Sequence, residues 1–255
     1  MSFVDVMGAV LRWTTGIEAA AALGAELSLM QSGQSAPPEI AARLRAVSAA
    51  AGLDGLEELT PQQRAIMVGI VRLHLHHAED LLDSPARAAG WTYTDPVILD
   101  GWGRGSTVVP SIIAAAIPEL GEVRSFLDVG TGVGLLAVSA AALWPEASIV
   151  GLDTWEPSLA RARANIAGAG LQERIALREQ NVADIEDVDA FDVSWVPTFF
   201  ISPTALTEAV RRLVRATRPG GWIVLGRFLN PPDPVASAVG SLRTIRGGGS
   251  ELSAD

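Results

Sequence analysis

Phe126-Leu127-Asp128-Val129-Gly130-Thr131-Gly132-Val133-Gly134-Leu135 runs from an apolar, β-rich stretch through three glycines into a helix-forming segment. A strand that passes through glycines into a helix lets a ligand approach the backbone closely at the helix N-terminus. The spacing is G-x-G-x-G. A nicotinamide fingerprint has G-x-G-x-x-G, and here Leu135 stands in the sixth place. The next β-rich run closes with Gly151-Leu152-Asp153. A carboxylate at the tip of a second strand, on the order of 20 residues past the turn, can accept both hydroxyls of a ribose. An Asp in that place also serves as a helix cap.

The same grammar extends on either side of the turn. β-Rich runs at Ser125–Val129, Ser148–Asp153, Arg174–Glu179, Phe191–Val196 and Trp222–Phe228 alternate with helical stretches near Gly134–Trp144, Pro157–Ala169 and Pro203–Arg218. Strands separated by helices predict an α/β fold, a doubly wound parallel sheet with right-handed crossovers and the order 3-2-1-4-5. Residues 1–90 read as helices only, over Phe3–Met30, Glu39–Ala51 and Pro61–Asp83, the last opened by the capping sequence Thr60-Pro61-Gln62-Gln63. The expected organisation is an N-terminal helical cap, residues 1–90, over the acceptor site of a ligand-binding domain, residues 91–255. The aromatic and glycine-rich stretch from Trp91 to Ser106 reads as the link between them.

From Trp91 to Phe228 the chain resembles the class I S-adenosylmethionine-dependent methyltransferases. Leu127–Gly134 matches the first motif of that family and Asp153 its ribose acid. Gln180-Asn181-Val182 matches the tip of its third strand, Phe191–Pro197 its fourth strand and Arg218-Pro219-Gly220-Gly221 the turn before its fifth. The resemblance implies S-adenosylmethionine as cofactor and a role for each matched residue. Asp128 and the backbone of Gly130, Thr131 and Gly132 face the methionine amino group, with Gly134 closing the motif. Asp153 holds the ribose, and Thr154 and Trp155 flank ribose and adenine. Val182 N–H meets a ring nitrogen, and Asn181 replaces the usual Asp, its amide oxygen accepting from the exocyclic amine. Trp195 marks the fourth-strand tip, where cofactor and acceptor meet, and Arg104 or Ser106 meets the methionine carboxylate. Replacing Asp153 by Ala is expected to weaken cofactor binding about tenfold with little effect on melting.

Composition narrows the chemistry further. The 255 residues include no Cys, and all 19 basic residues are Arg. Thiolate nucleophiles, Schiff bases and cysteine-based metal sites are therefore excluded. The three His all fall between His74 and His77. On the Pro61–Asp83 helix, Met67, Ile70, Val71, Ala78 and Leu81 define an apolar face with His74 near its middle. His74 is thus the candidate general base beside its plainer role as a core residue, and no nearby carboxylate suggests a metal. A net charge of −10 repels polyphosphates and anionic membranes. The expected partner is a small-molecule acceptor, with no nucleic acid and no membrane. The Arg211, Arg212, Arg215 and Arg218 cluster reads as a solvated face. The first residues lack a secretory signal, which predicts a cytoplasmic protein.

These readings converge on methyl transfer to a small molecule, most naturally at oxygen. Ser194-Trp195-Val196-Pro197 lacks the Asn/Asp-Pro-Pro-aromatic pattern of amide and exocyclic-amine methyltransferases. The alternative is a non-catalytic S-adenosylmethionine-binding or partner subunit, and a third reading is a nicotinamide oxidoreductase. The family's sheet has seven strands. After Phe228 come Pro231, Pro232 and Pro234, a helical stretch at Asp233–Arg246, a glycine run expected to be flexible and, from Ser250, the start of a further helix. The fifth strand is thus expected to keep one unpaired edge, which favours association as a homodimer.

Overall fold

The structure is a computed structural model and describes residues 1–228 and 232–251. Its helices are α1 (Phe3–Ser32), α2 (Pro38–Ala50), α3 (Pro61–Asp83), α4 (Pro96–Ser106), α5 (Val109–Ala116), α6 (Leu135–Leu143), α7 (Glu156–Gly168), α8 (Pro203–Ala216) and α9 (Pro234–Arg246). Its strands are β1 (Ser125–Val129), β2 (Ser148–Asp153), β3 (Ile175–Glu179), β4 (Phe191–Pro197) and β5 (Thr217–Gly226). Contacts divide the chain into two units: Met1–Pro85 with Pro96–Gly105, and Ala86–Asp95 with Ser106–Asp255.

In the helical unit, small residues decide which faces meet. A Cβ on Gly24 of α1 would lie 3.0 Å from Val71 Cγ1 of α3, and one on Gly101 of α4 would lie 2.9 Å from Leu73 Cβ. These close approaches turn Val68 and Leu73 inward, while Met67, His74 and Ala78 are exposed. The expected apolar face, with His74 at its centre, is therefore corrected. The His74 ring lies on the carbonyl of its own helix, Nδ1 2.8 Å from Ile70 O. His77 is held by a neighbouring helix: Trp102 Nε1 donates to its Nε2 at 3.1 Å. The stretch read as a link, Trp91 to Ser106, contains α4, and α5 follows it. Its Thr94-Asp95-Pro96 start signal is ordinary, but the glycines at 101, 103 and 105 obscure the helix that follows.

The second unit is a parallel sheet in the order β3-β2-β1-β4-β5, as the sequence predicts. β1 is buried along its whole length because helices cover both faces. Phe126, Ile149, Ile175 and Val193 pack against α5, α6 and α7 through Ile113, Leu136, Ala137, Ala140 and Ile166. Leu127, Val129, Leu152 and Val196 pack against α8 through Ala209, Leu213 and Ala216. Each fully buried aliphatic side chain here contributes about 1.5–3 kcal/mol. β3 begins one residue later than expected and β4 ends one residue later, and both ends of β5 differ more. β5 begins at Thr217, since Thr217 pairs with Phe191 and Trp222 with Val193, and the residues between them bulge out of the ladder. β5 also ends at Gly226 rather than Phe228. Among the described residues, no strand pairs with the far edge of β5.

At the amino ends of the strands, Asp192 ties β1, β4 and β5 together. Its Oδ2 accepts from Arg124 N and Ser125 N, each at 2.8 Å, and its Oδ1 from Arg218 at 2.7 Å. Arg218 is thus solvent-exposed, as expected of the cluster, and also ties the strands together. Arg211 and Arg212 do pair on the surface, with Glu208.

The glycine run after α9 is packed, contrary to the expected flexible tail. Gly90 N donates to Arg246 O at 3.0 Å, Ser250 N to Thr198 O at 3.0 Å and Ser250 Oγ to Ile201 O at 2.6 Å. A Cβ on Gly249 would collide with the Phe199 carbonyl, so glycine here permits close backbone approach rather than motion. The expected helix start beyond Ser250 and the residue Pro231 lie, from residue 252 and at residue 231, outside the described residues. Gly249→Ala should lower stability by about 1–3 kcal/mol through overpacking. Urea denaturation measures this, and an unchanged midpoint would show that the run does not pack against the β4 turn.

Candidate cofactor-binding site

The carboxyl ends of β1 and β2 carry the site. After Val129 the chain turns through Gly130, Gly132 and Gly134, with φ of 65°, 56° and 75°. That left-handed region disfavours side chains with a Cβ. The turn is held to β2 by Thr131 N donating to Leu152 O at 2.8 Å, and to α7 by Asn165 Nδ2 donating to Val133 O at 2.8 Å. Gly134 is needed for packing, because its Cβ would lie 3.1 Å from Ala162 Cβ. Gly132 faces open space: a Cβ there would meet nothing nearer than Gly130 O at 3.9 Å. The backbone is bare where a ligand could lie against it.

Two carboxylates flank this turn. Asp153 Oδ2 accepts from Gly132 N at 2.8 Å and Oδ1 from Trp155 N at 2.9 Å. Burial raises the Asp153 pKa, and hydrogen bonds from the backbone of Trp155, Gly132 and Thr154 oppose the rise. Asp128 is 1% exposed and accepts from Thr131 Oγ1 at 2.7 Å. Its burial pushes the pKa up to about 7, the Thr131 hydroxyl opposes that shift and the charge of Asp153 adds to it. A buried carboxylate poised near neutrality, with a second one beside it, suits a cationic ligand group.

The other predicted residues take up positions around this pair. Trp155 Nε1 donates to Tyr93 O at 2.8 Å, which fixes the indole at the end of β2. Asn181 Oδ1 accepts from Ala183 N at 2.9 Å, so its amide caps the turn after β3, and Val182 beside it is buried. Trp195 pairs with Asp128 in the β1–β4 register, and its ring packs against Gly226. His74 belongs to the helical unit and the glycine turn to the other. Sequence reasoning missed Gly151, which pairs with Asp128 and whose Cβ would lie 2.8 Å from Thr131 Oγ1. A glycine inside a strand was the available signal. It also missed the aromatic cluster in which Trp91 sits 5.2 Å from Tyr93 and 4.8 Å from Phe200. Among the described residues, no group of three His, Asp or Glu is placed to hold a metal, and no helix is long and apolar enough to cross a membrane.

Residues 126–221 match a family model described as a methyltransferase domain. The chain carries a methyltransferase domain over these residues. Over 204 residues it is 31% identical to a ribosomal protein L11 methyltransferase of Sorangium cellulosum, a match covering 77% of this chain and 59% of that one. Over 126 residues it is 32% identical to a U6 snRNA (guanine-N(2))-methyltransferase of Bos taurus, covering 45% of this chain and 25% of that one. The methyltransferase domain thus spans less than two thirds of the length of these curated relatives. Among solved structures, an O-methyltransferase family protein from Burkholderia thailandensis superposes with a TM-score of 0.67 at 18% identity, covering 100% of this chain and 90% of that one. Mitomycin 7-O-methyltransferase superposes with a TM-score of 0.62 at 18% identity, covering 97% and 88%. These likenesses establish the fold.

The geometry changes one expectation and generates a second. Asp153 also ties down the turn, so Asp153→Ala should lower stability by about 1–3 kcal/mol through the donors it orphans, visible as a lower melting temperature. A carboxyl whose folded pKa is raised contributes stability below its unfolded pKa and loses it as pH rises through the folded value. For Asp128 that window runs from 3.8 to about 7. Asp128→Asn should therefore flatten the loss of stability between about pH 5 and pH 8 and be at least as stable as wild type at the upper end. Parallel melting-against-pH curves for the two proteins would refute the assignment.

Proposed function

We propose that the protein binds S-adenosylmethionine on the glycine turn and transfers its methyl group to a small-molecule acceptor, at oxygen. The observation that carries this reading is the pairing of buried Asp128 with Asp153 around a turn whose backbone is open at Gly132. Bound there, S-adenosylmethionine supplies a methyl group already activated on a sulfonium. The protein's task is then to bind, align and exclude water. Asp128 accepts from the methionine ammonium group. Asp153 has lone pairs beyond those used by Gly132 and Trp155, enough to accept from two ribose hydroxyls. Trp155 offers its indole as a flank, and Asn181 and Val182 border the adenine.

Support for a small acceptor comes from charge. At −10 the chain disfavours a polyanion, although curated relatives bear the names of enzymes acting on RNA and on proteins. Support for oxygen comes from two neighbours that superpose over nearly the whole chain and are named O-methyltransferases, and from Ser194-Trp195-Val196-Pro197 at the fourth-strand tip.

Calorimetry with S-adenosylhomocysteine tests the first half: wild type should bind, and Asp153→Ala should bind at least about tenfold more weakly. Transfer of labelled methyl to a panel of hydroxyl and amine compounds tests the second, with label expected on oxygen. Label appearing on nitrogen alone would overturn the acceptor assignment, and binding without turnover on any compound would favour a non-catalytic subunit. Binding of a nicotinamide dinucleotide in place of S-adenosylhomocysteine would overturn the reading as a whole.

A further inference from the structure

Thr131 is 6% exposed and lies between two left-handed glycines that turn its side chain down onto the sheet. Its backbone N–H is committed to Leu152 O. Its hydroxyl occupies the space above Gly151, where a Cβ would sit 2.8 Å from Oγ1 and 3.0 Å from the threonine's own Cβ. From that seat the hydroxyl donates to Asp128 Oδ2 at 2.7 Å. We propose that Thr131 is a positioning residue, whose hydroxyl holds Asp128 as the ionised acceptor of the cofactor's ammonium group. This rests on the reading that the turn binds S-adenosylmethionine.

The argument is one of competing effects on a single carboxyl. Burial and the like charge of Asp153, at the end of the neighbouring strand, both favour the neutral acid. Asp153 is the charged group acting on Asp128. The residues paired with Asp128 on β2 and β4 are Gly151 and Trp195, which carry no charge. The Thr131 hydroxyl is the one influence that favours the anion. It engages one carboxylate oxygen and leaves the other for the ligand. Gly151 has a function at one remove, because any side chain there would lift Thr131 off the strand.

The test compares wild type, Thr131→Val and Thr131→Ser by calorimetric titration with S-adenosylhomocysteine from about pH 6 to pH 9. Loss of a hydrogen bond to a charged group corresponds to about one pKa unit. The valine protein should therefore bind about ninefold more weakly at pH 6, about fivefold at pH 7, under about twofold at pH 8 and equally at pH 9. Taking the ratio at each pH cancels the ligand's own titration. Thr131→Ser should restore the wild-type profile.

A ratio that does not change with pH, or a serine protein that behaves like the valine one, would overturn the role of Thr131. Absence of binding by wild type at every pH would instead overturn the cofactor reading. A readout that needs no ligand separates the two further. In the unliganded protein, the pH at which stability stops falling should move up by about one unit in Thr131→Val. An unmoved curve there would overturn the proposal whatever the turn binds. Thr131→Ala, which removes the hydroxyl without adding a buried methyl beside Gly151, serves for both measurements if the valine protein does not fold.

Discussion

Two backbone N–H groups from different segments, Gly132 and Trp155, converge on the carboxylate of Asp153. One belongs to the turn after β1 and the other to the start of α7. A β1 turn of three left-handed glycines has little of its own to hold it, since glycine loses more backbone freedom on ordering than any other residue. The side chain at the tip of β2 supplies the anchor, and Thr131 N on Leu152 O supplies a second. The open backbone at Gly132 is thus fixed by strand β2 rather than by the turn itself. A carboxylate that already receives backbone donors is pre-aimed, and under the proposed function a ribose would meet an acceptor that needs no reordering.

The sheet was legible because its strands are buried on both faces and read as short apolar runs between turn residues. β1 and β2 fall where their sequences predict, and the strand order is the doubly wound one, with right-handed crossovers and a reversal at β1. The glycine turn and Asp153 were legible for a related reason: their chemistry is local, with spacing along the chain standing for proximity in space. The departures share one cause. α4 was hidden by Gly101, the buried face of α3 is set by Gly24 and Gly101, and the packed tail depends on Gly249. A glycine looks in sequence like a break or a hinge, yet whether it marks motion or contact depends on a distant partner. His74 was misplaced by the same effect, because the large apolar side chains of α3 gave a phase that the small residues on its neighbours overrode.

The candidate site shows the same division between what is local and what is not. Asp128 could be recognised as a motif residue, but its state of charge could not. That depends on its burial, on the hydroxyl three residues along and on a second carboxylate a strand away. Gly151, which the sequence marks only as a glycine inside a strand, belongs to this set because it leaves room for Thr131.

The sheet is bound differently at its two ends. At the amino ends, Asp192 and Arg218 join β1, β4 and β5 through an ion pair that is partly open to solvent. At the carboxyl ends, buried carboxylates and backbone donors do the joining. Mobile ions weaken exposed charge pairs much more than buried ones. Added salt therefore acts chiefly on the end remote from the glycine turn, so a changing ionic environment alters the closure of the amino ends more than that of the turn.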